Sequence, residues 1–353
     1  MELNGVFDNI IRKVKRTVTL VKNQQTKHDL ELICNDWISV ANYPRTKVSL
    51  CGKFNAGKSA LINALFNKKI VISKPIPSTG VITKIYYSEH PEYFVIKQTD
   101  KGEVKQCFSP EQIKDLTVKD NFNNSENVRD IIRVEIGYPL MQLQEGLEIY
   151  DTPGLEDIYP KTNEITFSHI DETDFIIFVI DAMQLKDLKE LLLRYYNYLG
   201  KNVIFVANKM DAIDDCDREE IRELAMVYFS EYYNPITFTS DIFFVSAIQQ
   251  NSDIDVLAKY FKQHFGANAT RIAFISRVSI LLARIKDLYE KIKTHQTDLV
   301  CKINNTSDIN QKATLKKQQQ MVLSDKHALS QLIIELKNHI TSQQLNNKKY
   351  VNN

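Results

Sequence analysis

Residues 52–59 read Gly-Lys-Phe-Asn-Ala-Gly-Lys-Ser, directly after the apolar run Val48–Cys51 and directly before Ala-Leu-Ile-Asn-Ala-Leu-Phe. A strand that ends in such a turn and passes at once into a helix places successive backbone amides and the helix N-terminus around one point, where they attract an anion. Gly52 and Gly57 let the backbone approach phosphate closely, Lys58 adds a point charge for the outer phosphates, and Ser59 offers a hydroxyl to magnesium. Asn55, Ala56 and Ala60 complete the same phosphate-binding stretch. The bare pattern arises in roughly one chain of this length per hundred at ordinary residue usage, and the strand–loop–helix setting makes chance rarer still.

Around this loop, short apolar runs alternate with amphipathic helical patterns from about residue 44 to 267. The strands expected are 48–51, 147–150, 175–180, 203–207 and 242–245, with helices over 59–66, 185–199, 217–232 and 253–264. That alternation predicts an α/β fold, a doubly wound and mostly parallel sheet. Residues 88–146 interrupt it. Tyr93–Thr99 and Glu103–Phe108 read as a hairpin about Asp100-Lys101-Gly102, Ser109 and Gln112 as a capping box, 119–127 as a polar loop, and 128–136 as a returning strand. Residues 1–43 and 268–353 carry helical spacing instead, for example Val6, Ile10, Val14 and Val18, or Leu329, Leu332, Leu336 and Ile340. The three segments are therefore expected to be N-terminal neck helices (1–43), a nucleotide-binding domain (44–267) and a C-terminal helical neck or stalk segment (268–353). The chain ends would join in a helical bundle, with a turn at 304–311 and a frayed tail over the last dozen residues.

Four further stretches follow in the order a guanine-nucleotide site requires. PSTGVITKI (77–85) offers Thr83 as a second magnesium hydroxyl, carried on a loop that reaches the metal only when triphosphate is bound. DTPG (151–154) places Asp151 at a strand end to hold a magnesium-bound water, and Gly154 to present its amide to the γ-phosphate. NKMD (208–211) provides Asp211, which can accept both the ring N–H and the exocyclic amine of guanine. Asn208 and Lys209 brace that loop and the base. Ser246 and Ala247, after the strand Ile-Phe-Phe-Val, would bring a backbone amide to the guanine oxygen. GTP and Mg2+ are the expected ligands, with Ser59, Thr83 and Asp151 as metal ligands and with Lys58, Thr83, Asn55 and Gly154 acting on the γ-phosphate.

Leu155 follows DTPG, so the water-orienting glutamine found at this place in some GTPases is absent. Asn55 has two open readings. Its side-chain carbonyl could ligate K+ or Na+ beside the phosphates, or it could pin the loop by backbone hydrogen bonds.

Composition closes several other routes. With 45 basic and 44 acidic side chains, the charge gives no sign of a nucleic-acid partner. Five scattered cysteines without a Cys-x-x-Cys pair suit reduced thiols in a cytoplasm, and no apolar run nears the roughly 20 residues of a membrane span. The seven histidines show no metal-ligand spacing.

GKFNAGKSALINALF, PSTGVITKI, VEIGYPLMQLQEGLEIYDTPGLED and VIFVANKMDAID resemble the GTPase domain of bacterial dynamin-like proteins, over about residues 44–265. Ribosome-assembly and tRNA-modification GTPases carry similar loops, but their crossing between the corresponding threonine and aspartate is far shorter than the 68 positions from Thr83 to Asp151. The resemblance implies a P-loop GTPase domain on a helical neck, hydrolysis of GTP to GDP and phosphate, and nucleotide-dependent self-association as a homodimer or with another dynamin-like subunit. It further implies membrane remodelling at a lipid surface, by a cytoplasmic protein peripheral at the inner membrane face. The alternative class is a regulatory or assembly-factor switch acting on a protein, RNA or ribosomal partner. Two departures stand out: Phe54-Asn55 replaces the Gln-Ser pair of eukaryotic dynamins, and the C-terminal helical segment is short.

Overall fold

The computed structural model describes residues 2–41, 43, 45–71, 81–117, 131–144, 146–155, 169–170, 172–187, 202–232, 242–249, 252–265 and 269–351. Two compact units divide the chain, one formed by residues 44–273 and one by 1–43 with 274–353.

The first unit is built on a sheet with nine strands among the described residues. They are β1 (Thr46–Cys51), β2 (Ile82–Tyr87), β3 (Glu92–Thr99), β4 (Gly102–Cys107), β5 (Ile131–Tyr138), β6 (Leu147–Asp151), β7 (Phe175–Asp181), β8 (Asn202–Asn208) and β9 (Ile242–Phe244), in the order β4-β3-β5-β2-β6-β1-β7-β8-β9. From β6 through β1, β7 and β8 to β9 every pairing is parallel. All five of those strands therefore end at one edge. The run Phe-Ile-Ile-Phe-Val-Ile of β7 is buried throughout, as a central strand covered on both faces requires.

On one face α3 (Lys58–Leu65) and α6 (Ser252–Phe265) pack Leu61, Ile62, Leu257, Phe261 and Phe265 against Leu50, Phe175, Ile177 and Val179. Phe265 meets Phe175 edge-on, with ring centroids 4.7 Å apart. On the opposite face Ile176, Phe178 and Phe205 gather Leu155, Ile170, Leu185 and Ala225, the last from α5 (Arg218–Tyr232). Residues 182–187 form a 3-10 turn where a longer helix over 185–199 is expected, and the remainder of that stretch lies outside the described residues.

Between β2 and β6 the chain adds a half-sheet. The hairpin β3–β4 forms as expected, with Thr99 opposite Gly102. Ser109 and Gln112 cap α4 (Pro110–Thr117) reciprocally, at 2.8 and 3.2 Å. The polar loop expected over 119–127 lies outside the described residues.

One expectation needs correction here. Thr83 is not in a loop. It is the second residue of β2, buried, hydrogen-bonded into the sheet between β5 and β6, and directly opposite Asp151 in an antiparallel register. The alternating pattern Ile82, Lys84, Tyr86 against Thr83, Ile85, Tyr87 supports this, with Ile85 in the core and Lys84 pairing the buried Glu148 at 2.7 Å. A residue paired on both sides cannot travel with a nucleotide-sensing loop.

The second unit is helical: α1 (Glu2–Leu20), α2 (Gln24–Ala41), the greater part of α7 (Ala269–Asn305) and α8 (Ile309–Val351). Asn23 caps α2 through its side-chain oxygen, at 3.0 Å from the Gln25 amide and 3.1 Å from that of Thr26. Asp325 on α8, itself buried, accepts the amides of Lys22 and Asn23 at 2.6 and 2.9 Å and so holds the α1–α2 corner. Trp37 donates its indole N–H to the Arg277 carbonyl at 2.7 Å, while the Arg277 guanidinium donates to the carbonyls of Ala41 and Tyr43. Asp308 starts α8 after the expected turn, accepting from Asn310 at 2.7 Å. The tail differs from expectation, because α8 stays helical to Val351.

Candidate nucleotide site

The phosphate loop leaves β1 at Cys51, touches the DTPG segment through a Lys53–Leu155 bridge, and enters α3 at Lys58. Gly57 has φ +90°, and a Cβ there would run into the Asn208 amide nitrogen. At Gly52, φ +148°, a Cβ would meet the Val179 carbonyl. Both positions therefore demand glycine on conformation and on space. Gly57→Ala is expected to cost about 2 kcal/mol in chemical denaturation and to abolish guanine-nucleotide binding, because the new methyl displaces Asn208 from the loop. Unchanged stability and binding would refute this.

Asn55 is a non-glycine residue in the left-handed region, φ 62°. Lys58 Nζ curls over its own loop, donating to the carbonyls of Gly52 at 3.1 Å and Lys53 at 3.2 Å. The ammonium thus lies inside the ring of backbone that a phosphate would enter. Ala56 is buried beneath the loop and Ala60 lies in the first turn of α3.

Ser59 donates its hydroxyl to Asp151 Oδ2 at 2.6 Å, and Asp151 is almost fully buried at the end of β6. Its second oxygen, Oδ1, is buried without a hydrogen-bond partner. A buried, half-satisfied carboxylate beside a hydroxyl is a site that would accept a dication, and Mg2+ fits this donor set. Thr83, opposite in register, places its Cβ on the same face of the strand pair as Asp151. Gly154 lies against the phosphate loop, where a Cβ would come within 2.7 Å of Phe54 Cα.

Burial raises the Asp151 carboxyl above its ordinary 3.8, against the hydrogen bond from Ser59 and the charge of Lys58. The folded protein therefore holds this proton more tightly than the unfolded chain does. The stability this contributes is full below pH 3.8 and is lost as pH rises through the higher folded value. Relative to wild type, Asp151→Asn should gain melting temperature steadily from acid towards neutral pH. A pH-independent difference would contradict that assignment.

At the ends of β8 and β9 the base loops meet the phosphate loop. Asn208 donates to the Ala56 carbonyl at 3.0 Å and accepts the Ala247 amide at 2.9 Å, tying three loops together. The amide expected to serve the guanine oxygen is therefore engaged by Asn208 when Ala247 supplies it. The Ser246 hydroxyl donates to Asp211 Oδ1, orienting the carboxylate that would read the base. Lys209, φ 68°, sends its ammonium to Asp181 Oδ2 at 2.7 Å. Asp181 was not expected from the sequence as a site residue. Its signal was present, since it ends the apolar strand β7 as Asp151 ends β6.

Residues 48–210 match the model of the dynamin family. This segment belongs to the dynamin family. The dynamin-family domain also has relatives by sequence. An uncharacterized protein from the xynA 3' region of Caldicellulosiruptor sp. is 34% identical over 218 residues, 61% of this chain and 53% of its own length. A bacterial dynamin-like protein of Nostoc punctiforme is 28% identical over 50% of this chain and 27% of its own. Dynamin-like protein 1 of Campylobacter jejuni is 25% identical over 49% and 28%. The chain thus spans about half the length of the first of these relatives and just over a quarter of the other two.

Proposed function

We propose that the dynamin-family domain binds GTP with Mg2+ and hydrolyses it to GDP and phosphate. One observation carries this reading: parallel β1, β6 and β8 deliver Lys58, Ser59, Asp151, Asn208 and Asp211 to one sheet edge, where Asp151 keeps a buried oxygen without a partner. In this reading Lys58 and the loop amides hold the outer phosphates, and Asp211 accepts the guanine N–H groups. Ser59 and Asp151 hold the metal, which when bound would neutralise charge on the β- and γ-phosphate oxygens. Thr83 borders that site from β2, and the Gly154 amide faces the γ-phosphate. Calorimetric titration with GDP and with ADP in the presence of Mg2+ tests it: micromolar binding of GDP alone is expected, and no binding of GDP would overturn it.

Leu155 is buried and Phe54 has no polar side chain, so neither can orient the attacking water. Asn55, fixed in its left-handed turn, is proposed to ligate K+ or Na+ beside the phosphates, supplying positive charge as bonds rearrange. Turnover is expected to be several-fold faster in potassium than in choline chloride; equal rates would instead assign Asn55 to pinning the loop.

Self-association of nucleotide-loaded domains, as a homodimer or with another dynamin-like subunit, is proposed to act on the loops within 70–83 and 155–165, of which 72–80 and 156–165 lie outside the described residues while Ile82 and Thr83 belong to β2. Specific activity should then rise with protein concentration. The half-sheet inserted between Thr83 and Asp151 supports a dynamin-like role at a cytoplasmic membrane surface over an RNA-linked switch. Among the described residues no helix is long and apolar enough to cross a membrane, and the proposed lipid contact is a peripheral one. Co-sedimentation with anionic liposomes in the presence of a non-hydrolysable GTP analogue tests the lipid role, and binding to ribosomal particles without lipid binding would favour the switch.

A further inference from the structure

The geometry points to Asp181 as a positioning residue for guanine-nucleotide recognition, acting through Lys209. The inference rests on the proposed GTP site and adds to it a specificity device on a strand that supplies none of the nucleotide motifs. Asp181 closes β7, and its register partner on β8 is Asn208. One residue later the backbone turns left-handed at Lys209, with φ 68° and ψ 34°, a conformation that costs an ordinary L-residue about 1 kcal/mol. That turn carries the lysine side chain back across the strand ends, and its ammonium meets Asp181 Oδ2 at 2.7 Å. The carboxylate is itself held. Its other oxygen accepts the Met183 amide at 3.0 Å, and its side chain is only 11% exposed. Asp181 also lines a cleft with Lys53 of the phosphate loop, Val179, Ile180 and Gln184, so the pair lies where phosphate and base loops converge.

A free lysine samples many rotamers and loses up to about 2 kcal/mol of conformational entropy when ordered. Here the ion pair with Asp181 restrains the lysine, whose side chain is 37% exposed, towards one direction. Restrained by that ion pair, the four methylenes of Lys209, two residues before Asp211, would offer an apolar support to the face of a purine ring. Preorganisation of this kind strengthens binding without adding a contact to the ligand. It acts on the base and leaves phosphate contacts untouched.

The test is a double-mutant cycle with two ligands. Asp181→Asn keeps an oxygen for the Met183 amide and removes the counter-charge; Lys209→Met keeps an apolar stem and removes the ammonium. Each variant, and the double variant, is expected to bind fluorescent GDP about tenfold more weakly than wild type, with no additional loss in the double. Pyrophosphate, which has no base, should compete equally well in all four proteins. The inference is overturned if Asp181→Asn binds GDP as wild type does, if the two losses multiply, or if pyrophosphate weakens in parallel, which would mark a purely structural role. If Asp181→Asn does not fold, Lys209→Met decides: tenfold weaker GDP with unchanged pyrophosphate supports the pair, and parallel losses refute it. Wild-type protein that binds no GDP would refute the GTP site itself, a distinct outcome.

Discussion

Lys58→Ala is expected to weaken GTP binding by at least about a hundredfold and to bring hydrolysis to background. The side chain is buried at the start of α3, and its ammonium is enclosed by the carbonyls of Gly52 and Lys53. A phosphate entering that ring would exchange neutral acceptors for anionic oxygens, a stronger partner. Alanine removes the charge, while the two loop carbonyls keep the backbone amides of Leu155 and Ala56 as donors. Lys58→Arg should not rescue, because a planar guanidinium is larger than the ring that surrounds the ammonium. Fluorescent-GTP titration and phosphate release measure both effects. Retained binding in Lys58→Ala would mean that the loop does not hold phosphate.

The second large effect concerns the base. Asp211 lies in a short turn over Met210–Ala212, beneath which the Met210 amide is fixed to the Val245 carbonyl at 3.1 Å. The hydroxyl of Ser246 donates to Oδ1 and orients the carboxylate. Guanine presents two N–H donors to such a group. A carboxamide in its place, presenting one acceptor and one donor, would leave one guanine donor facing a donor. Asp211→Asn is therefore expected to lose about a thousandfold in affinity for GDP and to prefer xanthosine diphosphate, whose extra carbonyl accepts from the new amide. Competition between the two nucleotides reads this directly. A variant that still prefers GDP would place base recognition elsewhere. The two substitutions also separate from each other, since Lys58→Ala should weaken every nucleotide and Asp211→Asn should only change which base is accepted.

Much of the molecule was legible in one dimension because its signals are local. The hairpin Glu92–Cys107 and the capping box Ser109/Gln112 depend on residues a few positions apart, and both formed where periodicity and turn chemistry indicated. The buried strand Phe175–Asp181 is a continuous apolar run, which only a sheet covered on both faces can use. Thr83 lies in β2 rather than in the expected loop for an equally physical reason. Its neighbours Pro77, Ser78 and Gly80 signal a loop, and two-residue alternation over Ile82–Tyr87 is weak evidence until a partner strand is known. That partner, β6, is contributed from 68 positions away. The polar residues of the tail suggest fraying, but α8 continues to Val351 because polar side chains do not prevent a long helix from continuing.

The order of motifs, the residue types at each strand end and the absence of a glutamine after DTPG were written in the chain itself, because each is a property of neighbouring residues. Where those strand ends lie relative to one another was decided only by folding. The parallel register of β6, β1, β7, β8 and β9 sets Leu50 beside Asp151 and Asp181 beside Asn208. Through that register the structure leaves one oxygen of Asp151 buried and unsatisfied, and couples Lys209 to an aspartate from a strand that carries no motif. Hydrogen bonds between distant strands are long-range contacts, and composition and spacing cannot encode which partner a buried charge will find.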